Sequence, residues 1–349
     1  VRIAVGSGGI LRSSGTRLCL PYSSTDAHYR EGEWIATNLL TGTEVWKPVV
    51  SPADNTWAGI AWSPQLGLFA AVAGSGTGNR VMTSPDGVNW TTRSSPQDRL
   101  WTPIVWAPEL GLFVSISTDS STPVMTSPNG INWTIRVAAA FNQWFGLTWA
   151  PELGLLVAVA GSGTGNRVMT SPDGINWTAR ASAADNNWYS VAWSPELGLL
   201  VAVALSGTGN RVMTSPDGIN WTARASAADN NWYSVAWSPQ LGLFAAVAGS
   251  GTGNRVMTSP DGINWTSRVA PAENSWRSIA WSPQLGLFAA VAGSGTGNRV
   301  MTSPDGINWT IRPATADITW QSITWSPDLG LFAAVATAGV GCRVMTSRS

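Results

Sequence analysis

The segment Ser171-Pro172-Asp173-Gly174-Ile175-Asn176-Trp177-Thr178 returns at 215–222, 259–266 and 303–310, each time 44 residues further on. Two near copies precede it, at 84–91 with Val88 in place of Ile and at 127–134 with Asn129 in place of Asp. A period of this length restricts the fold more than any other feature. Each unit is too small to bury its apolar surface alone and must lean on its neighbours. The tryptophans keep the count: of 22, one series runs from Trp46 to Trp309, a second from Trp57 to Trp320, and a third follows the second by five residues, from Trp62 to Trp325. Three series of seven leave only Trp34 over, and the seven methionines also fall one per unit. Units start near residues 40, 84, 127, 171, 215, 259 and 303, so residues 40–349 form one repeat domain. Residues 1–39 lie outside the period as an irregular N-terminal segment, with 34–37 a candidate strand.

Within a unit the pattern predicts four short strands. WYSVAW at 188–193 alternates aromatic with small residues, and LLVAVA at 199–204 is apolar on both faces. Two further strands are expected at 211–214 and 219–224, with Pro, Gly and Asp turns between all four and no room for helices. A strand apolar on both faces belongs to a sheet covered on both sides. Four-stranded sheets packed face to face around an axis make a β-propeller. The expected fold is therefore all-β, a seven-bladed propeller of four-stranded antiparallel blades. Phase predicts how it closes: the chain stops after the third strand of its last unit, so the strand around Trp46 must complete that blade. Closure removes sheet edges that would otherwise recruit other chains.

Composition excludes some functions. Net charge is zero with charged residues at 11%, and Lys47 is the only lysine, so no basic surface for nucleic acid exists. No apolar run approaches the ~18 residues of a membrane-spanning helix. The chain begins at Val1 with neither an initiator Met nor a signal-like segment, which reads as a processed or trimmed form and leaves export open. Two cysteines are too few for a disulfide scaffold or metal cluster. Cys19 and Cys342 lie near opposite ends of the chain, and a clasp between them is one expectation, two buried thiols the other.

The Ser-Pro-Asp-Gly-Xaa-Asn-Trp turns resemble the Asp-box of sialidase-type propellers, centred on Asp86, Asn129, Asp173, Asp217, Asp261 and Asp305. They have one residue fewer between Asp and Gly than the usual form. The resemblance implies a structural staple joining the third and fourth strands, away from any ligand. The residues support this independently: Asp accepts turn amides, Gly supplies positive φ and Pro sets φ before the turn. No metal and no cofactor is expected at these carboxylates. AsnTrpThr also makes a sequon at Asn89, Asn132, Asn176, Asn220, Asn264 and Asn308, expected to stay unmodified in so tight a turn.

Sialidase-like hydrolysis would require, by the same resemblance, an arginine cluster, a Tyr–Glu pair and an acid Asp. Here the arginines and Tyr189 and Tyr233 look like repeat residues, and His28 is the only histidine. Acid and base roles need environments that push two pKa values apart. Units 171–214 and 215–258 differ only at Glu196/Gln240, Leu200/Phe244, Val201/Ala245 and Leu205/Gly249. Such symmetry predicts no catalytic residues and no enzyme.

Repeated binding is the favoured reading. The loops between second and third strands and between blades share one face. They carry Asn79 and Arg80, Asn166 and Arg167, Asn210 and Arg211, Asn254 and Arg255, and Asn298 and Arg299. Beside them stand Asp185, Asn187 and Trp188, and Asp229, Asn231 and Trp232. Planar hydrogen-bonding groups next to an aromatic face suit sugars, and repeated weak sites gain from avidity. The sequence thus predicts a multivalent binding module for surface glycans at a cell surface, particle surface or outside the cell. The alternatives are a structural or adhesive disk docking a surface protein and, third, a sialidase-like hydrolase. Oligomeric state is left open.

Overall fold

In a computed structural model the described residues are 11–13, 16–18, 27–30, 33–36, 45–119 and 123–347. Seven four-stranded antiparallel sheets make up a closed propeller. Six blades run consecutively through 57–93, 101–137, 144–180, 188–224, 232–268 and 276–312. The seventh joins Trp320–Ser326, Leu331–Ala336 and Val344–Ser347 to the early strand Trp46–Val49. There Val344 pairs with Val49 and Ser347 with Trp46, the closure that phase predicts. Within 1–39, Leu11–Ser13 pairs with Thr16–Leu18 and Ala27–Arg30 with Glu33–Ala36. Cys19 lies outside the described residues, so the clasp with Cys342 stays an expectation.

Each blade follows the turn chemistry. The second strand is buried along almost its whole length and its two faces serve two different neighbours. Leu200, Ala202 and Ala204 pack with Val157 and Val159 of the preceding blade, while Val201 and Val203 pack under Trp232 and Phe244 of the next. The core therefore lies between blades, and its alternating small residues let sheets approach closely. The ring junction obeys the same rule, with Ala333, Val335 and Val344 against Trp57, Ile60 and Phe69.

Two local differences from the pattern have physical causes. The fourth strand is Thr222–Arg224, shorter than 219–224, because Asp217 Oδ1 takes the amides of Ile219 and Asn220 at 2.8 Å out of the ladder. A single 3-10 turn at Pro151–Leu153, closed by Gly154, is the one helical element among the described residues.

The repeated Ser-Pro-Asp-Gly turn acts as the staple expected of it. At Asp173, Oδ1 accepts from the amides of Ile175 and Asn176 at 2.8 and 2.7 Å, and Oδ2 from Asn176 Nδ2 at 2.7 Å. Trp177 Nε1 then donates to Gly174 O at 3.2 Å. Burial alone would raise these carboxyls, but the amides of the turn outweigh it and hold Asp86, Asp173, Asp217, Asp261 and Asp305 at about 2. On this same face the third tryptophan series links blades: Trp237 Nε1 donates to Glu196 at 2.7 Å, and Trp62 to Asp328 at 3.0 Å across the ring junction.

Candidate functional site

On the opposite face the candidate loop residues are brought together, but largely to hold one another. Arg211 Nε donates to Gly207 O at 2.8 Å, and its Nη1 to Leu205 O at 2.7 Å and to Asn230 O at 2.9 Å. Asp229, in the loop entering the next blade, lies 3.7 Å from that guanidinium and accepts from Gly209 N at 2.8 Å. Arg167 with Asp185, Arg80 with Asp98, Arg255 with Glu273 and Arg299 with Asp317 repeat the arrangement. Arg343 carries it across the closure, donating to Asn55 O at 2.6 Å. Each arginine is a clamp between a blade and the strand entry of its neighbour. At one junction, Pro123 and Phe141 stand at the positions of the arginine and the acid.

The asparagines are similarly engaged. Asn79, Asn166, Asn210, Asn254 and Asn298 accept from the side-chain amides of Asn55, Asn142, Asn186, Asn230 and Asn274. These five donors are buried and are absent from the sequence prediction; their signal is the Asn two residues before five of the seven second-series tryptophans. The pairing also explains Gly207, whose φ is 109° and whose Cβ would meet Asn186 Nδ2 at 2.4 Å. Asn231 accepts from Arg211 at 3.1 Å, whereas Asn187 Oδ1 is buried with no hydrogen-bond partner.

Trp188 and Trp232 require a correction. Both are 0% exposed, with Nε1 donating to Ala184 O and Ala228 O, so neither ring offers a face to a ligand. Each fills the space between blades, where burying a large aromatic stabilises the fold most.

The residue after each of these tryptophans does something different. Ala58, Thr102, Phe145, Tyr189, Tyr233, Arg277 and Gln321 are the second residues of the seven innermost strands and line the mouth of the central channel, around a cavity of about 210 Å³. This position holds six residue types in seven blades, with only Tyr repeated, at 189 and 233. Tyr189 and Tyr233, taken from the sequence as repeat residues, belong here. The signal available in the sequence was the divergence of this column, which the loop preceding it shares.

The ring is lopsided. Phe145 stacks on Tyr189 with centroids 4.7 Å apart, and Tyr189 meets Tyr233 edge-on at 4.9 Å. Arg277 lies over the Tyr233 ring at 4.1 Å, a cation–π contact. Burial pushes the Tyr189 phenol up despite the nearby Arg277 and a side-chain hydrogen bond with Gln321, so it stays neutral at ordinary pH. Gly249 leaves room for this wall, since a Cβ there would meet Tyr233 Cε2 at 2.5 Å. The opposite wall is small, made by Ala58 and Thr102. Below the ring, Ser190, Ser234 and Ser278 accept from the amides of Val235, Ile279 and Ile323 at 3.2–3.3 Å, fixing consecutive inner strands.

No family model matches this sequence, and no curated protein matches it either. Solved structures do match in fold. A streptogramin B lyase is similar at TM-score 0.73 and 10% identity, over 87% of this chain and 97% of that one. A catalytically inactive virginiamycin B lyase from Staphylococcus aureus, with quinupristin, matches at 0.72 and 10%, over 86% and 98%. YCF48 from Cyanidioschyzon merolae matches at 0.63 and 16%, over 86% and 98%. A YCF48 bound to D1 peptide gives 0.60 and 16%, over 87% and 95%.

At these identities the likeness is one of fold. It nevertheless corrects one inference. Near-identical blades do not exclude an enzyme, because a lyase stands on this same architecture. The premise fails locally as well: at the channel mouth the seven blades present six different residue types, so side-chain environments there are not copies.

Proposed function

We propose that this protein is a ligand-binding propeller whose recognition site is the mouth of the central channel on the loop-bearing face. Its ligands are sugars of surface glycans, which sets it at a cell surface, a particle surface or outside the cell. One observation carries the reading: in a chain that copies itself closely, the ring from Ala58 to Gln321 diverges where the side chains face a cavity. Phe145, Tyr189 and Tyr233 supply aromatic surface, and Gln321 and Arg277 supply planar hydrogen-bonding groups, a combination that suits a sugar ring. The loop array around the mouth is chiefly a brace for that site. Binding is then one ligand per propeller instead of one per blade.

A glycan array probed with the intact chain tests this. Hits should disappear with Tyr233→Ala, and titration should give a single site. Hits unchanged by Tyr233→Ala but lost on changing Arg167 and Asn187 together would restore the per-blade reading. An empty array together with a stable complex with a protein would favour the docking disk.

A further inference from the structure

Arg277 differs from the clamp arginines of the loop face. Those at 80, 167, 211, 255 and 299 each have a carboxylate oxygen within 2.7–3.7 Å. Arg277 has no ion pair among the described residues, and its Nε is buried with no hydrogen-bond partner. The cavity lining contains no Asp or Glu. Arg277 is half-buried, its Nε shut away from water while the rest of the fork is not, and it holds no counter-charge beyond the cation–π contact with Tyr233. The face of Tyr233 orients the fork, and a planar two-oxygen acceptor matches it best.

The rest of the mouth limits what can carry that acceptor. Only one cationic side chain lines the cavity, with neutral partners in Gln321, Tyr189 and the serines, which balances one negative charge and not two. Phe145 and Tyr189 stack and Tyr233 stands edge-on to Tyr189, so this wall is aromatic but angled, and the facing wall of Ala58 and Thr102 leaves the space open. About 210 Å³ accommodates one ring with its acid group, not an extended chain.

We propose that the channel mouth binds a single ring-borne carboxylate, its two oxygens on the Arg277 fork and its ring against the Tyr189–Tyr233 wall. This rests on the channel mouth being the recognition site, as above, and adds the charge and shape of what enters. Two sources share this chemistry: a uronic acid of a glycan and a small aromatic acid.

The test uses the intact chain with methyl glucuronide and phenylacetate as probes. Methyl glucoside and the two methyl esters serve as uncharged controls, read by saturation-transfer NMR and calorimetry. At least one acid should bind, its ester at least tenfold more weakly, and Arg277→Gln should reduce acid affinity at least tenfold. Arg277→Lys should fall between, because it keeps the charge and loses the fork. The ester comparison leaves the protein untouched, so a folding defect in a variant cannot mimic the result. If phenylacetate binds through Arg277 and glucuronide does not, the inference stands and the glycan reading falls. If neutral sugars bind at the mouth as well as acids, or Arg277→Gln changes nothing, the inference falls while the glycan reading survives. Binding of neither acid overturns it outright.

Discussion

Replacing Asn129 by Asp should stabilise the propeller, and the amount follows from the staples beside it. In five turns an Asp takes two backbone amides on Oδ1 and a side-chain amide on Oδ2, as at Asp217 with 2.8 Å to each. Asn129 Oδ1 accepts the amides of Ile131 and Asn132, both at 2.9 Å, and the Ser127 hydroxyl at 3.3 Å. Its second terminal atom is itself a donor and cannot receive Asn132 Nδ2. Asn129→Asp adds one charge-assisted bond and strengthens two. Hydrogen bonds to charged groups contribute roughly 1.5–3 kcal/mol, but Asn132 is exposed, so the value falls to about 1 kcal/mol. For a chain of this size that raises Tm by roughly 2 °C. The gain should depend on pH in a definite sense. A carboxyl held at about 2 in the fold, against an ordinary value of 3.8, contributes stability that is full above its unfolded pKa. That stability is lost as pH falls through the folded value. Melting curves of both proteins from pH 7 to pH 2 should diverge near neutrality and converge at the acid end. No gain at pH 7, or a gain that persists unchanged at pH 2, would refute the account of the staple.

Two further substitutions probe the loop face. Trp232→Ala should cost about 3–5 kcal/mol in urea denaturation, as for a fully buried aromatic; a cost under about 1 kcal/mol would mean the ring is surface after all. Arg211→Gln removes three bonds to backbone carbonyls of 2.7–2.9 Å and should cost about 1–3 kcal/mol. Because those acceptors are carbonyls, most of that cost should remain in 1 M salt; its disappearance in salt would assign the clamp to the Asp229 ion pair instead.

The blades were legible because their determinants are local. Pro, Gly and Asp impose turn geometry within a few residues, and a strand apolar on both faces announces a sheet covered twice. The closing strand could be read from phase alone, since a chain that ends one strand short has a single place to find the fourth. The Ser-Pro-Asp-Gly turn was legible for the same reason: Ser171, Asp173, Gly174 and Trp177 form it without help from any distant residue. Even its variant at Asn129 carries its consequence in its own chemistry.

The loop face was read less well, and the cause is geometric. Whether Trp188 is a platform or a core residue depends on how closely the preceding sheet approaches, which no spacing within one unit records. Arg211 and Asp229 look like free polar groups in the chain and become a clamp only when the neighbouring blade brings them within reach. The channel mouth is the extreme case. Phe145, Tyr189, Tyr233, Arg277 and Gln321 are separated by 44 residues at each step and meet only because seven strands converge on one axis. Sequence determined the blade, the count and the closure, since those follow from torsions and periodicity along the chain. Tertiary structure decided which side chains share a cavity, since that requires the ring to be closed.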